Sequence, residues 1–224
     1  MNNESLNLIE INPSNTPKGC VIWLHGLGAD GHDFEPLARQ WDLTDQHGIR
    51  FVFPNAPVQP VTINGGMSMR AWYDIRQPDI SAAEDTAGIQ ASQQYIETLI
   101  SAEQEKWGIA ASQIILAGFS QGGAIALQTG LRYPQCLGGI LALSCYLPLP
   151  TTLTDEKQAP SEISIRMDHG IDDPVVPVAL AEESSRMIER QGYAVAFNRY
   201  PMAHSLYPEQ IDSLYGWLRR RLTG

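Results

Sequence analysis

The sequence predicts an α/β fold with a mostly parallel central sheet and helices on both faces. Short runs that are apolar throughout alternate along the chain with longer segments of helical periodicity. Runs of this kind are typical of parallel strands that helices cover on both sides. The chain has 224 residues, 43% of them hydrophobic, which is enough apolar material for a sizeable core. We expect one domain over residues 1–224.

Six apolar runs are predicted to form the parallel strands. They lie at 20–24, 49–53, 114–117, 139–143, 163–167 and 193–200. Apolar residues recur at helical spacing between them. The predicted helices cover 34–41, 83–107, 121–133, 178–191 and 210–222. We expect 6–11 to add an antiparallel edge strand, and 58–72 and 148–160 to be long loops of the kind that often bind ligands.

The charge balance argues against a nucleic-acid partner. Lys and Arg number 15 against 25 Asp and Glu, so the formal net charge is −10. Binding to a phosphate backbone depends on clustered cations, and the chain has such a cluster only at Arg219, Arg220 and Arg221.

The cysteines and the apolar runs favour a cytoplasmic protein with reduced thiols. Cys20, Cys136 and Cys145 are widely spaced and odd in number, which indicates neither a zinc site nor a disulfide framework. The first 17 residues lack Lys and Arg, so we expect no secretory signal. Because no apolar run is long enough, we also expect no membrane-spanning segment.

The segment 118–122 (GFSQG) matches the G-x-S-x-G pattern of a nucleophile elbow. A predicted strand precedes it and a predicted helix follows it, which is the context that this pattern requires. Glycines at 118 and 122 would relieve collisions across the tight turn. The pattern then presents the Ser120 hydroxyl above the sheet at a helix N-terminus. The alternative is an ordinary turn in which Ser120 caps the helix.

His204 is the candidate general base for Ser120. It lies between the last predicted strand and the last predicted helix, where a loop can bring an imidazole over the strand ends. By itself a single late histidine is more typical of the surface, so this assignment depends on Ser120. The other histidines are His25, His32, His47 and His169. His25 and His169 precede glycines at strand ends, which predicts local hydrogen bonding in those turns.

Asp172 and Asp173 are the candidate acids that would orient the imidazole. Both follow the predicted strand at 163–167, and both fit the chain order Ser, Asp, His. One or both could instead cap the helix that begins near Pro177.

The glycine-rich segment 25–31 (HGLGADG) predicts one side of an oxyanion hole. We assign the two donors to the backbone N–H groups of Leu27 and Gln121. A phosphate-binding loop is the alternative, but the segment matches neither of the usual glycine patterns for phosphate.

These segments together resemble the carboxylesterase and acyl-protein thioesterase family (phospholipase/carboxylesterase type) of the α/β-hydrolase superfamily. The matching segments are 24–31 (LHGLGADG), 54–57 (PNAP), 70–74 (RAWYD), 118–123 (GFSQGG), 144–148 (SCYLP) and 172–177 (DDPVVP), with His204. The resemblance implies the α/β-hydrolase fold and selects Asp173 as the acid. It also implies cofactor-free hydrolysis of carboxylic esters and, in some members, of thioesters on acylated proteins. Members of the family often form homodimers.

Apolar residues near the strand ends and in the first long loop are candidates for an acyl-binding pocket. They are Leu27, Met67, Met69, Trp72, Tyr146, Leu147 and Val176. Apolar lining suits an acyl chain, and methionine adapts to ligands of varied shape. Ordinary packing of the loop is the alternative for each of them.

The sequence therefore predicts a serine esterase, with Ser120, His204 and Asp173 as its triad and no metal or cofactor. A binding module without turnover is an alternative, because a fold does not fix a function. A peptidase is another, although no site for peptide termini can be recognised. A metal site at His25, Asp30 and His32 would lack a shared helical face.

Overall fold

The computed structural model describes residues 8–224. The strands in chain order are β1 (Leu8–Ile11), β2 (Gly19–Leu24), β3 (Ile49–Pro54), β4 (Val58–Val61), β5 (Met67–Arg70), β6 (Ile114–Phe119), β7 (Gly139–Leu143), β8 (Ile165–Gly170) and β9 (Val195–Tyr200). The α-helices are α1 (Glu35–Gln40), α2 (Thr44–His47), α3 (Thr86–Trp107), α4 (Gln121–Arg132), α5 (Leu153–Glu156), α6 (Val178–Arg190) and α7 (Pro208–Thr223).

The main sheet has seven strands in the order β1-β3-β2-β6-β7-β8-β9. β1 pairs antiparallel with β3, and the other neighbours in this sheet are parallel. The predicted α/β class and its mostly parallel sheet are confirmed. β1 also supplies the expected edge strand, although Leu6 and Asn7 of that prediction lie outside the described residues.

Successive residues of the central strands enter two separate hydrophobic cores. In β2, Ile22 packs into one core and Trp23 into the other, with 0% and 1% of their surfaces exposed. Helices α3, α4 and α6 cover the first core, while α1 and α7 cover the second. Helices on both faces explain why these strands are apolar throughout. Within residues 8–224, the search for a helix that could cross a bilayer finds none.

Both predicted long loops contain secondary structure. Residues 58–70 form a β-hairpin, in which β4 and β5 pair antiparallel around Gly65 and Gly66 at φ 68° and 77°. Pro60 within β4 obscures the strand pattern in the sequence. The second segment contains α5 after a short 3₁₀ turn at Pro150–Thr152. The single-turn helix α2 was not predicted.

The parallel strands β2, β6, β7, β8 and β9 all end at the same edge of the sheet. β8 begins two residues later than predicted and continues to Gly170, so that His169 is a strand residue. Ligands of open α/β sheets bind outside this carboxyl edge, and the residues that follow these strands build the candidate site.

Candidate active site

Ser120 occupies a strained turn between β6 and α4. Its backbone has φ 54° and ψ −121°, a conformation that is unfavourable for a residue with a side chain. A hydrogen bond of 2.8 Å from its N–H to the Leu143 carbonyl ties the turn to the neighbouring strand. A Cβ at Gly118 would overlap the backbone of Gly122, and a Cβ at Gly122 would overlap the Leu24 carbonyl. The two glycines therefore permit the sharp turn that exposes the hydroxyl.

Three side chains from different strand ends form one hydrogen-bonded chain. His204 Nε2 lies 2.9 Å from Ser120 Oγ, and His204 Nδ1 lies 2.7 Å from Asp173 Oδ2. The carboxylate fixes the proton on Nδ1, which leaves Nε2 to accept the serine proton. The Phe119 ring packs 4.8 Å from the imidazole, centroid to centroid. The three residues predicted as a triad are thus brought together.

The turn after β8 distinguishes the two neighbouring aspartates. Asp173 is buried, and its Oδ1 accepts the N–H groups of Val175 and Val176 at 2.8 and 2.9 Å. These bonds leave Oδ2 directed at the imidazole. Asp172 is exposed. α6 begins only at Val178 without a side-chain cap, so neither aspartate caps that helix.

The loop that carries His204 packs closely against the end of β8. A Cβ at Gly170 would overlap the carbonyl oxygens of Met202 and Ala203. The Ile171 N–H donates to the Tyr200 carbonyl at 2.9 Å. From the sequence, Gly170 was expected only as part of a turn, whereas the structure requires a glycine there to place His204.

The side chains of His25 and His169 make hydrogen bonds to backbone groups. His25 Nε2 accepts the Ala56 N–H at 3.0 Å, so its Nδ1 carries the proton and donates to the Gly26 carbonyl at 2.7 Å. His169 Nε2 donates to the Val176 carbonyl at 2.8 Å. Burial lowers the pKa of both imidazoles, which favours their neutral forms. This agrees with the local hydrogen bonding predicted for them.

Leu27 and Gln121, whose backbone N–H groups are the predicted oxyanion-hole donors, lie beside Ser120. Both residues line the cavity at this serine, and neither N–H donates to another group within residues 8–224. The turn that bears Leu27 is fixed by the Gly28 N–H, which donates to the Arg70 carbonyl of the hairpin at 2.9 Å. The sequence analysis gave no such role to the hairpin.

The side-chain amide of Gln121 joins two parts of the site. Its Oε1 accepts the Trp72 N–H and its Nε2 donates to the Tyr73 carbonyl, both at 2.8 Å. Gln121 is buried, so these bonds are shielded from water. From the sequence a role was assigned only to the backbone N–H of Gln121, so this role of its side chain was not predicted.

The cavity beside Ser120 has a volume of about 280 Å³ and a mainly apolar wall. Its lining includes Leu27, Tyr73, Ile75, Ile80, Phe119, Tyr146, Val175 and Val176, together with Asp33. Leu27, Tyr146 and Val176 were among the predicted acyl-binding residues. Tyr73, Ile75, Ile80 and Phe119 were not, although Tyr73 and Phe119 lie within the recognised motifs.

Four predicted acyl-binding residues do not line this cavity: Met67, Met69, Trp72 and Leu147. Trp72 is only 1% exposed, and its Nε1 donates to the His25 carbonyl at 2.9 Å. Leu147 is buried in the core. Met67 is 65% exposed on the hairpin, and Met69 accepts a hydrogen bond from Asn64 at 3.3 Å. Packing and hairpin formation thus direct these side chains elsewhere.

Residues 8–224 contain no group of three or more His, Cys, Asp or Glu side chains arranged to hold a metal ion. The three cysteines are free thiols, and Cys20 and Cys145 are buried.

Known proteins with similar sequences and structures cover nearly the whole chain. The Phospholipase/Carboxylesterase family profile matches residues 7–222. Acyl-protein thioesterase 1 of Gibberella zeae is 39% identical over 212 residues, which is 90% of each chain. The protein of the same name from Neurospora crassa is 41% identical over 212 residues, covering 90% of this chain and 86% of its own.

Among solved structures, acyl-protein thioesterase 2 of Zea mays aligns with a TM-score of 0.85. It is 29% identical, and the alignment covers 96% of this chain and 99% of the maize chain. The resemblance inferred from the sequence motifs is confirmed. The chain belongs to the phospholipase/carboxylesterase family, and it is a carboxylic ester hydrolase with the α/β-hydrolase fold.

Proposed function

We propose that Ser120 is the nucleophile, His204 the general base and Asp173 the orienting acid in the hydrolysis of acyl esters and thioesters. The pair of hydrogen bonds from Ser120 through His204 to Asp173, at 2.9 and 2.7 Å, carries this proposal. The strained backbone of Ser120 supports it, because strain of this kind persists where the surroundings enforce it for function.

In the acylation step, Ser120 Oγ attacks the carbonyl carbon while His204 Nε2 takes its proton. The carbonyl oxygen becomes an oxyanion, which the free N–H groups of Leu27 and Gln121 stabilise. The bond to the leaving oxygen or sulfur then breaks, and Nε2 returns the proton to that atom. Asp173 stabilises the imidazolium while the proton resides on it.

In the deacylation step, water replaces the departed alcohol or thiol. His204 Nε2 takes a proton from this water as its oxygen attacks the acyl carbon, and the same two N–H groups hold the second oxyanion. The bond to Ser120 Oγ breaks, the serine regains its proton, and a carboxylic acid leaves.

We propose an acylated protein as the substrate, with a cysteine thioester as the bond that is cleaved. Two considerations support this choice. The similar fungal proteins are named acyl-protein thioesterase 1, and the mainly apolar cavity suits an acyl chain. A cytoplasmic location is part of the proposal, since the three cysteines are free thiols.

The experiment compares Ser120→Ala with the matched variant Ser144→Ala. Ser144 directly follows the neighbouring strand β7, also has a positive φ of 48°, and its Oγ has no hydrogen-bond partner within residues 8–224. Activity is measured on p-nitrophenyl butyrate and on an S-acylated cysteine peptide. We expect Ser120→Ala to lose roughly 10⁴- to 10⁶-fold in kcat on both substrates.

Ser144→Ala should keep the activity of the unmodified enzyme, since that hydroxyl touches no reacting group. A Ser120→Ala enzyme that retained more than about a tenth of the original kcat would reject the proposed nucleophile. If the unmodified enzyme hydrolyses p-nitrophenyl butyrate but not the S-acylated cysteine peptide, only the proposed substrate is rejected.

A further inference from the structure

Asp33 places a carboxylate in the lining of a cavity that is otherwise mainly apolar. It lines the cavity together with Ser120 and His204. As an exposed aspartate it carries a negative charge at neutral pH. Among the residues that the structure describes, the lining includes no Lys or Arg that could balance this charge. Neither acylation nor deacylation, as proposed above, makes use of this carboxylate.

The Asp33 side chain has no structural partner that would explain it. Within residues 8–224, no side chain forms an ion pair or a hydrogen bond with its carboxylate. Helix α1 begins nearby, but its N-cap is Phe34 and no side chain caps it. The Asp33 backbone N–H donates to the Asp30 carbonyl at 3.1 Å, which closes the turn without using the carboxylate. The carboxylate is therefore available to a ligand.

The surroundings of Asp33 favour the approach of a cation. Partial burial raises the pKa of the Asp33 carboxyl, and repulsion by Asp30 adds to this effect, while His25 opposes it. A carboxylate whose pKa is raised in this way lies in surroundings that solvate its charge incompletely. A positive group brought by a substrate would supply the missing interaction.

A series of ring contacts places Asp33 on the His204 side of the cavity. Phe34, the next residue in the chain, is buried, and its ring lies 5.9 Å from that of Phe119, centroid to centroid. The Phe119 ring in turn lies 4.8 Å from the His204 imidazole. Because the general base also returns the proton to the leaving group, this side of the cavity receives the leaving group. An acyl chain would gain nothing from contact with a carboxylate.

We propose that Asp33 selects substrates whose leaving group is positively charged, namely acylated proteins with Arg or Lys beside the acylated cysteine. This inference rests on the proposed function, since it assumes a cysteine thioester whose carbonyl lies at Ser120. The basic side chain pairs with the Asp33 carboxylate while the thioester is bound. Asp33 is thus a specificity-determining residue that takes no part in bond making or breaking.

The preference should appear in kcat/KM and not in the rate of deacylation. The cation departs with the thiol at the end of acylation, so no later step includes it. Because the pair forms on binding and persists during acylation, it stabilises the bound substrate and the transition state alike, which lowers KM. An ion pair at a partly exposed site is expected to change kcat/KM by up to about fivefold.

The test compares two S-octanoyl cysteine peptides that differ only in the residues on both sides of the cysteine. These residues are arginine in one peptide and glutamine in the other, and arginine has no amine that could take the acyl group from sulfur. The ratio of kcat/KM for the arginine peptide to that for the glutamine peptide is measured in the unmodified enzyme, Asp33→Asn and Asp33→Lys. Asp42→Asn is the matched control, because Asp42 is an exposed aspartate that does not line the cavity.

We expect the unmodified enzyme to prefer the arginine peptide by about fivefold. Asp33→Asn should lower this ratio by about fivefold, and Asp33→Lys should lower it further, because the new ammonium repels the arginine side chains. Asp42→Asn removes the same charge elsewhere and should keep the ratio of the unmodified enzyme. Each ratio compares two peptides on one protein, so a general loss of activity or of folded enzyme cancels.

The same ratio in Asp33→Asn as in the unmodified enzyme would overturn the proposal and leave the thioesterase mechanism intact. An equal decrease in Asp42→Asn would also overturn it, because the overall charge of the protein would then explain the preference. Failure to cleave either peptide, with p-nitrophenyl butyrate still hydrolysed, would instead reject the proposed acylated-protein substrate and this inference with it.

Discussion

The two sides of the active-site cavity are built by different means. The proposed catalytic side consists of Ser120, Asp173 and His204, which follow three parallel strands and are positioned by contacts with the backbone. The opposite wall includes the segment 76–85, which lies outside the sheet and is held by a few side-chain hydrogen bonds. Strand ends therefore position the proposed catalytic residues, while contacts between distant side chains and loops position the opposite wall.

The largest expected effect distinguishes the two aspartates on the catalytic side. Asp173→Asn should lower kcat by roughly 10⁴-fold, because the amide no longer holds His204 in the required tautomer. Asp172→Asn is the matched control, since the adjacent carboxylate is exposed. Steady-state kinetics on p-nitrophenyl butyrate measures both. A greater loss of kcat in Asp172→Asn than in Asp173→Asn would show that Asp172 is the orienting acid.

A smaller effect is expected when the position of His204 is disturbed without removing any catalytic group. In Gly170→Ala, the added Cβ would overlap the Met202 and Ala203 carbonyls and displace the His204 loop. A displacement of about 1 Å can cost roughly 10²-fold in rate. We expect kcat on p-nitrophenyl butyrate to fall by a factor of this size, and the KM for the same ester to change much less.

Gly216→Ala in α7 is the control for Gly170→Ala. A Cβ there would meet only the flexible end of Arg220, at 3.3 Å. Its kcat should be unchanged, and its melting temperature should rise slightly because alanine favours helix over glycine. Equal kcat in Gly170→Ala and the unmodified enzyme would show that the loop tolerates the overlap.

The buried histidines of the catalytic side predict how stability depends on pH. Burial lowers the pKa of His25 and His169 in the folded state. The unfolded chain, with imidazole pKa values of about 6.5, therefore binds more protons below that pH. Their contribution to stability is present above about pH 6.5 and is lost as pH falls through this value toward the folded pKa values.

Thermal unfolding at pH 7.5 and pH 5.5 measures this effect. The melting temperature should fall at the lower pH, and it should fall less in His25→Gln, which removes one of the two titrating groups. The same decrease in both proteins would mean that His25 does not contribute to the pH dependence.

The smallest effect is expected for Met69→Ala, which sharpens the contrast between the hairpin and the wall of the cavity. Met69 was predicted to contact the acyl chain, but it does not line the cavity. Its truncation should leave the ratio of kcat/KM for p-nitrophenyl palmitate to that for p-nitrophenyl butyrate within about twofold of the original, whereas truncation of Ile80, which lines the cavity, should change this ratio more. A large change of this ratio in Met69→Ala would show that the hairpin contributes to the binding site.

The sequence could nominate residues that the structure brings together on the catalytic side, because their signals are local. The elbow at Ser120 requires a strand, two glycines and a helix, all within a short contiguous stretch. Spacing could not choose between Asp172 and Asp173, because the choice depends on how the turn directs Asp173 Oδ1 toward two backbone N–H groups. The family resemblance made that choice.

The other side of the cavity was predicted poorly because its geometry depends on contacts between distant segments. Trp72 and Tyr73 are adjacent aromatic residues, yet only Tyr73 lines the cavity. The Gln121 amide binds the backbone of both and fixes their orientation. Ile80 lines the cavity, and its carbonyl accepts a hydrogen bond from Tyr146, which is 66 positions away in the chain. Hydrophobic periodicity carries no information about such contacts.

Labelling by a fluorophosphonate probe, followed by peptide mass spectrometry, tests the central claim most directly. The probe reports which serine is activated, independently of the substrate. We expect one label on Ser120 in the unmodified enzyme, none on Ser144, and much slower labelling in Asp173→Asn. A label on another serine, or an active enzyme that the probe leaves unlabelled, would contradict the assignment of Ser120 as the nucleophile.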